Sequence, residues 1–342
     1  MSIIYKNHFY LYIINFSHKN AASRVLITPF HQPTASTAAM PDTSTRPLLL
    51  PASALRIACV GTAFSFVWSS AFIAGKIGMA SSGPLTLLSL RFLLAGALLW
   101  LLCRLLRISS PRSGDARIAL RALAAGLLGN AVYLGLTYTG IQTVPAGLTT
   151  ILVSTSPLLT TLLASAVFRE AFGWRQLLGL AAGFAGVVWI MHGRGSNQPI
   201  AADSIILILV GTVALAVSTL LNRTVVHGMD PLRIAMIQLP TSGLALLPIA
   251  LLKEGLHIVP DAAFWGSLIY QASIVSIGTT LMLLWLVRHG GVARASGFHL
   301  LNPIFGTLLS IAILHETVPA SDLLGCIPII GGLSLVLLRH RR

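Results

Sequence analysis

The chain has 342 residues, of which 55% are hydrophobic and only 9% are charged, and its mean hydropathy is +0.83. A soluble protein carries about a quarter charged residues because its surface must face water, so this composition excludes an ordinary soluble domain and indicates a surface that mostly faces lipid. The formal charge of +14 does not indicate nucleic acid, because the basic residues are scattered in short loops between apolar stretches.

The first 50 residues differ from the rest of the chain. The apolar patch at 9–16 is too short to span a bilayer, and 33–45 is a run of small and polar residues typical of disorder. We interpret 1–50 as a disordered tail or as a mis-assigned start upstream of Met40. A cleaved signal peptide is disfavoured, because the patch is weak and lacks a clear small-residue cleavage site.

Ten apolar stretches follow, each long enough to cross a hydrocarbon core of about 30 Å as a helix. Helices are required because lipid offers no hydrogen-bond partner for open backbone amides. The ten predicted spans cover 57–79, 84–106, 119–141, 146–168, 174–192, 204–222, 233–252, 264–287, 292–314 and 320–338.

The distribution of Lys and Arg predicts how the spans are oriented. If the first span starts inside, nearly all basic loop residues lie on the inner side, and Arg194 and Lys253 lie on the outer side. Basic loops stay in the cytoplasm, so we expect a multi-pass protein of the cytoplasmic membrane with both termini cytoplasmic.

The two halves of the chain repeat one pattern. At an offset of 146 or 147 residues, seven positions have counterparts: Lys76 with Arg223, Pro84 with Pro231, Arg91 with Gln238, Pro157 with Pro303, Glu170 with Glu316, Gly179 with Gly325, and Gly186 with Gly332. Five spans per half is an odd number, so the second half enters the membrane from the opposite side. We therefore predict an all-α integral membrane fold of ten transmembrane helices, built as two inverted five-helix repeats at 57–192 and 204–338. Halves related in this way can exchange conformations, which is the basis of alternating access.

Three segments carry a family resemblance. The first span reads Phe-Val-Trp-Ser-Ser-Ala-Phe-Ile-Ala-Gly-Lys over 66–76, the second reads Leu-Arg-Phe-Leu-Leu-Ala-Gly over 90–96, and the fourth reads Pro-Ala-Gly-Leu-Thr-Thr-Ile-Leu-Val-Ser-Thr-Ser-Pro over 145–157. They resemble the EamA family of the drug/metabolite transporter superfamily, over about residues 57–338. The resemblance implies a ten-helix permease of the cytoplasmic membrane, often an exporter of amino acids or other small metabolites.

Two cations and one aromatic residue are the first candidates for a binding site. A cation inside a span costs several kcal/mol unless it snorkels, pairs or faces water. Lys76 lies near the outer end of the first span, where it either snorkels or faces a cavity. Arg91 lies about two turns inside the second span, and either bonds to an adjacent helix or attracts a carboxylate or phosphate. Trp68 is deep in its span, which is compatible with lining a cavity or with a membrane-belt role.

All nine acidic residues fall in the tail or at the ends of predicted spans, so no carboxylate is available mid-membrane for a proton relay. This disfavours a small four-helix multidrug antiporter and a bulky organic cation as substrate, and it favours amino acids or organic anions. His299 lies well within the ninth span, with Asn302 nearby, and could couple protons, bind substrate or bridge two helices. Asn130, Tyr133 and Gln238 are polar groups in apolar surroundings, either interhelical contacts or cavity residues.

Pro157 and Pro303 lie near the middle of the fourth and ninth spans, where each is expected to bend its helix and act in gating. Ser154 belongs to a hydroxyl cluster beside Pro157, although such hydroxyls often bond only within their own helix. Glu170 and Glu316 precede glycine-bearing helices, whose dipoles favour a negative charge. The glycines that we expect to form close-packing faces are Gly179, Gly183, Gly186, Gly325, Gly331 and Gly332.

We therefore expect a secondary transporter that exports a small polar metabolite, such as an amino acid or organic anion, by alternating access. We expect no enzyme activity, cofactor, metal or nucleic-acid partner; the bilayer and a small-molecule substrate are the expected partners, and a homodimer stays open. The alternative is a non-transporting membrane receptor or a lipid-handling protein, and within the carriers an importer or a flippase.

Overall fold

The computed structural model describes residues 52–106, 115–168 and 202–337, together with single positions between 174 and 189. Within these ranges the chain is helical apart from short connections and one isolated β-bridge, which confirms the all-α prediction. Eight helical units of this part are long and apolar enough to cross a membrane, and a ninth helix contains the shorter apolar stretch Leu323–Gly332. The tail at 1–50, Glu170 and most of the predicted span 174–192 lie outside the described residues.

The described residues form ten helices, α1 to α10 in chain order. α1 is Ala52–Met79, α2 is Pro84–Leu105, α3 is Ala116–Gly140, and α4 consists of Ala146–Val153 and Ser156–Phe168. The described positions between 174 and 189 are helical and are called α5. α6 is Ala202–Val225, α7 is Pro231–Glu254 and α8 is Ala262–Gly290. α9 consists of Val292–Gly297, Phe298–Leu301 and Asn302–Leu314, and α10 is Ala320–Leu337.

Local signals in the sequence explain where α7 begins and ends. The Asp230 carboxylate accepts the backbone N–H of Leu232 at 2.8 Å, and Pro231 occupies the first turn, where its missing N–H leaves no bond unmade. Gly255 ends the helix with φ at +63°, a left-handed conformation that glycine adopts without steric cost.

Four helices are distorted, at positions that match between the two halves. α4 is interrupted at Ser154–Thr155 and α9 is wound as a 3₁₀ turn over Phe298–Leu301, each directly before its proline. The α-helix is thus interrupted next to each of the two prolines, as expected. α3 and α8 carry π-helical turns at Leu127–Val132 and Gln271–Thr279, which the sequence did not predict. π turns are frequent where side chains must be aimed at a functional site.

The α2–α7 contact is reciprocal between the halves. A Cβ atom on Gly96 would lie 3.0 Å from Pro240 Cβ, and one on Gly243 would lie 2.9 Å from the backbone nitrogen of Leu93. These four residues form two pairs at the 147-residue offset. Glycine at both places lets the helix backbones approach closely, as expected for halves related by an approximate twofold axis.

The same reciprocity relates α5 and α10. A Cβ on Gly186 would lie 2.6 Å from the Gly325 carbonyl oxygen, and a Cβ on Gly332 would overlap the Gly179 carbonyl oxygen. Four of the predicted close-packing glycines therefore form one contact. The prediction was wrong for Gly331, which faces open space because it lies on the other side of α10.

Candidate functional site

A small cavity lies between α1, α2 and α3 of the first half and α6, α7 and α8 of the second. Its walls are mostly apolar. The polar side chains that line it include those of Trp68, Arg91, Asn130, Asn222, Gln238 and Ser276. No acidic residue is among the lining residues that the structure describes. A mostly apolar cavity with a few converging polar groups is the usual form of a small-molecule site.

Arg91 is held in the wall of this cavity by three neutral side chains. Its Nε donates to Ser276 Oγ at 2.7 Å, and its Nη1 donates to Gln271 Oε1 at 2.9 Å and to Tyr138 Oη at 3.0 Å. The residue is only 3% exposed, and no carboxylate of the described chain pairs with it. A buried guanidinium is thus present without a counter-ion, an arrangement that is costly unless a ligand or water compensates it.

The partners of Arg91 are themselves fixed by a network that joins four helices. Tyr138 Oη lies 2.6 Å from Gln271 Oε1 and 2.9 Å from the Ala71 carbonyl, and its single proton can serve either acceptor. Gln271 Nε2 donates to Ser267 Oγ at 2.8 Å, and that hydroxyl donates to the Ala74 carbonyl at 2.6 Å. The network orients the guanidinium before any ligand binds, because its support comes from α1, α3 and α8 together.

Gln238, the counterpart of Arg91 in the second half, lines the same cavity. Its Nε2 donates to Asn222 Oδ1 at 2.9 Å, and both side chains are buried. α3 can pack against this pair because Gly126 has no side chain: a Cβ there would lie 2.8 Å from Gln238 Cα. The two matched positions therefore place one cation and one neutral amide in a single cavity.

A second polar cluster adjoins the cavity through Trp68. The indole stacks on Tyr133 with ring centroids 6.1 Å apart, and the His299 ring meets it edge-on at 5.0 Å. The Asn302 amide nitrogen lies 2.9 Å from His299 Nδ1. Asn302 Oδ1 is buried and makes no hydrogen bond within the described chain, and the buried Trp68 Nε1 and Tyr133 Oη lie near each other without a hydrogen bond of ordinary geometry. Unpaired buried polar atoms on three helices are costly, which marks this cluster as a site that can accept a polar partner.

A third group, called the outer cluster, consists of Lys76, Glu316 and the amides of Ala146 and Gly147. Lys76 Nζ lies 2.9 Å from Glu316 Oε1, which also accepts the Ala146 N–H at 3.0 Å, while Oε2 accepts the Gly147 N–H at 3.3 Å. The carboxylate therefore caps α4, a helix of the opposite half. The sequence-based prediction had concerned only the dipole of α10, the helix that follows Glu316. It lies at the membrane side predicted to be outside.

Glu254 forms a similar contact at the same side. Its two oxygens accept the N–H groups of Leu85 and Thr86 at 2.9 and 2.8 Å, at the start of α2. Next to it, the Ser81 hydroxyl donates to Asp261 at 2.7 Å, a hydrogen bond that holds the pKa of this carboxyl below its ordinary value. At this side of the membrane, carboxylates of the second half thus accept hydrogen bonds from segments of the first half.

The predicted site residues fall into separate places. Trp68, Arg91, Asn130 and Gln238 meet at the cavity, whereas Tyr133, His299 and Asn302 form the adjoining cluster. Lys76 is not in the cavity, because Glu316 holds it in the outer cluster. Ser154 is buried and donates to the Ile151 carbonyl of its own helix at 2.6 Å. Neither α4 nor α9 contributes to the described lining of the cavity, so the two proline bends lie beside it.

Several partners in the site were not selected from the sequence. Tyr138 and Gln271 are polar residues in apolar spans, a pattern that fits an interhelical contact as well as a cavity residue. Ser276 carries no signal that separates it from other membrane serines, and Asn222 lies near the C-terminal end of α6. The pairing of Asn222 with Gln238 had one signal in the sequence, namely that the Asn222 amide lies in an apolar span 16 residues before Gln238.

Comparisons with known proteins agree with this architecture. The sequence model of the EamA-like transporter family matches residues 55–192 and 203–338. An uncharacterised transporter of Synechocystis sp. is 27% identical over 280 residues, covering 76% of this chain and 83% of the relative. The uncharacterised inner membrane transporter YedA of Escherichia coli (strain K12) is 29% identical over 282 residues, covering 81% and 89%. A solved crystal structure shares the fold, with a TM-score of 0.60 at 17% identity over 82% of this chain and 96% of that chain.

Proposed function

The chain belongs to the EamA-like transporter family, and from this premise we propose that it is a secondary carrier of the cytoplasmic membrane that exports a small polar metabolite, such as an amino acid or an organic anion. The coarser statement, that it is a multi-pass membrane transporter, follows from the two family matches and the apolar helices. The substrate class, the direction of transport and the alternating-access mechanism are what we propose beyond it.

One observation carries the substrate side of this proposal: Arg91 is buried in a cavity wall with only neutral partners. An intramembrane cation that faces a cavity is typical of a substrate pathway, because a structural cation would be paired with a carboxylate or reach the interface. A substrate carboxylate would provide the missing negative charge. Asn130, Gln238 and Trp68 line the same cavity and would contact the rest of the molecule.

Two features of α4 and α9 support alternating access: close contacts between the helices at their predicted outer ends, and interruptions further along each helix. At the predicted outer end Gly147 packs against Ser310 and Gly306 against Thr150, and the outer cluster caps α4. On the predicted cytoplasmic side of these contacts, α4 is interrupted just before Pro157 and α9 just before Pro303. We propose that the bends let the inner and outer halves of each helix move separately, so that opening one end accompanies closing the other.

Export as the direction is supported by electrostatics and by the family's frequent role. A cell interior that is electrically negative drives an anion outward, by about 2.3 kcal/mol per charge for each 100 mV. A carrier of an organic anion that couples to no other ion therefore works as an exporter. Uptake would need a coupled ion, and the sequence offers no mid-membrane carboxylate to bind one, which leaves His299 as the candidate for coupling protons.

The test is the metabolite profile of spent medium from cells that overproduce the chain, compared with empty vector, Arg91→Ala and Arg104→Ala. Arg104 is a matched control, because it lies on the same helix, is exposed and stacks on Trp100. We expect one metabolite class enriched outside with the intact chain and with Arg104→Ala, and lost with Arg91→Ala. An unchanged medium, with the protein confirmed in the membrane, would contradict export and favour uptake or a non-transporting role.

A further inference from the structure

We infer that the substrate of this cavity is a small monocarboxylate of net charge −1 without an ammonium group, and that its export moves one negative charge outward per cycle. The inference rests on the proposed function and chooses between the two substrate classes that it leaves open. It depends on the charges around the cavity, on the free donor of Arg91 and on the neutral groups opposite it.

The charge count favours a monoanion over a zwitterion. Arg91 is the one formally charged residue among the described residues that line the cavity. The second-half carboxylates at the outer side are already engaged, Glu316 by Lys76 and two amides, and Glu254 by two amides of α2. An amino acid would bring an ammonium into a site that offers it no anion, and it would leave the guanidinium charge unneutralised. A dianion would leave one negative charge in the same low-dielectric space.

The geometry of Arg91 leaves one donor group for a ligand. Nε and Nη1 are occupied by Ser276, Gln271 and Tyr138, whereas Nη2 makes no hydrogen bond to any residue that the structure describes. Carboxylates and phosphates are the anions that a guanidinium recognises through charge-assisted hydrogen bonds. Of the two, the carboxylate carries the single charge that this site can neutralise, whereas a phosphate monoester carries about −1.5 to −2 at pH 7. Because the other two nitrogens are fixed, the free one is presented in a defined direction, and little ordering is required on binding.

The remaining walls fit the other parts of such a molecule. Gln238, Asn222 and Asn130 offer neutral amides, which suit an uncharged oxo or hydroxyl group. Phe72 and Leu134 belong to the apolar part of the lining and suit a hydrocarbon side chain. The combination matches a 2-oxo or 2-hydroxy acid with an apolar side chain, because each part of the molecule then meets a wall of its own polarity.

The same charge count predicts the electrical character of transport. The empty site carries one positive charge and the loaded site carries none, so loaded carrier crosses without moving charge and empty carrier returns with its positive charge. An interior-negative potential favours this return. At equilibrium a potential of 100 mV corresponds to about a 50-fold outward gradient of a monoanion.

Binding is tested on the purified full chain in detergent with pairs of probes that share a carbon skeleton. The pairs are 4-methyl-2-oxopentanoate with L-leucine, phenylpyruvate with L-phenylalanine, and pyruvate with L-alanine, and 2-oxoglutarate serves as the dianion. We expect 2-oxo acids to raise the thermal unfolding midpoint at concentrations at least about tenfold lower than their amino-acid twins or the dianion. Equal effects within the pairs, or no effect of any 2-oxo acid, would overturn the inference.

Two variants check that the effect arises at this guanidinium. Arg91→Gln is expected to abolish the shift by 2-oxo acids, and Arg104→Gln on the same helix is expected to leave it unchanged. Arg91→Gln removes three hydrogen bonds and can fail to fold. The comparison of probe pairs on the unaltered chain needs no variant and decides the question in that case.

Charge movement is tested in proteoliposomes with labelled 4-methyl-2-oxopentanoate and potassium diffusion potentials set by valinomycin. The equilibrium ratio of the probe across the membrane should change about 50-fold per 100 mV. A ratio that does not respond to the potential overturns the electrogenic cycle. If cells export a zwitterion through this chain, the proposed transport function stands and this inference fails; if no solute moves in cells or liposomes, both fail.

Discussion

The outer cluster gives the most direct test of how the two halves are held together. Glu316→Gln keeps the size of the side chain and removes its charge. In the structure the two carboxylate oxygens accept three donors, from Lys76, Ala146 and Gly147. An amide has one acceptor oxygen and cannot serve both the ammonium and the two backbone groups. We therefore expect the variant to lose the ion pair and most of the cap on α4.

The magnitude follows from the parts that are lost. A negative charge at a helix N-terminus contributes about 0.3–1 kcal/mol, and up to about 2 in partly buried sites. The ion pair adds about 0.2–1 kcal/mol, a value for exposed pairs that is suitable here because the two side chains keep 25% and 15% exposure. A total of about 0.5–3 kcal/mol would shift the balance between closed and open outer ends by roughly 2- to 150-fold.

The assay is the rate at which a membrane-impermeant maleimide labels Ser310→Cys from outside, in a chain whose three cysteines have been replaced. Ser310 is fully buried and packs on Gly147, so it reacts only when the outer end opens. We expect Glu316→Gln to raise the rate within that range. Lys76→Gln should raise it less, because it removes the ion pair and leaves the carboxylate cap in place.

Asp230→Asn is the matched control, since it weakens the cap of α7 at the predicted inner end. Its labelling rate should equal that of the parent. Equal rates in Glu316→Gln and the parent would refute the role of the outer cluster in closure. A rise in Asp230→Asn as large as in Glu316→Gln would show general loosening and refute the same reasoning.

Three further predictions concern the bends, the glycine contacts and a surface carboxyl. Pro157→Ala and Pro303→Ala restore a continuous helix and should together reduce efflux more than about tenfold at unchanged membrane abundance, measured by labelled-substrate release. Gly332→Leu should destabilise the chain by about 1–3 kcal/mol through overpacking, whereas Gly331→Leu, which meets open space, should leave the unfolding midpoint unchanged. A serine hydrogen bond holds the pKa of Asp261 low, so its contribution is present above the ordinary Asp pKa of about 4 and is lost as pH falls through the lowered value. The midpoints of the parent and Asp261→Asn should therefore differ at pH 7 and converge in acid.

The helices were predictable because lipid leaves the backbone no alternative to internal hydrogen bonds. The predicted span 84–106 is observed as Pro84–Leu105, and 146–168 is observed as the two segments of α4. Proline punctuates both the starts and the bends, so the interruptions before Pro157 and Pro303 could also be expected.

The π turns and the partners in the site could not be predicted in this way. No proline or composition change marks Gln271–Thr279, where the chain inserts an extra residue per turn and where Gln271 and Ser276 both reach Arg91. These bonds join residues 180 and 185 positions apart, and Lys76 is 240 positions from Glu316. Pairing over such distances depends on how helices pack, which local sequence patterns do not encode.

Residues that repeat in both halves and residues that differ between them would have different roles in the proposed carrier. In the proposed alternating-access cycle, opening inward and opening outward exchange the roles of the two halves, so we expect bends and close-packing glycines in both, as Pro157 with Pro303 and Gly186 with Gly332 provide. Arg91 and its counterpart Gln238 instead line one shared cavity. A second arginine there would bury two like charges, which a single monoanion could not neutralise. The symmetry of the fold must therefore be broken at this pair, and the broken position is where substrate selection is expected.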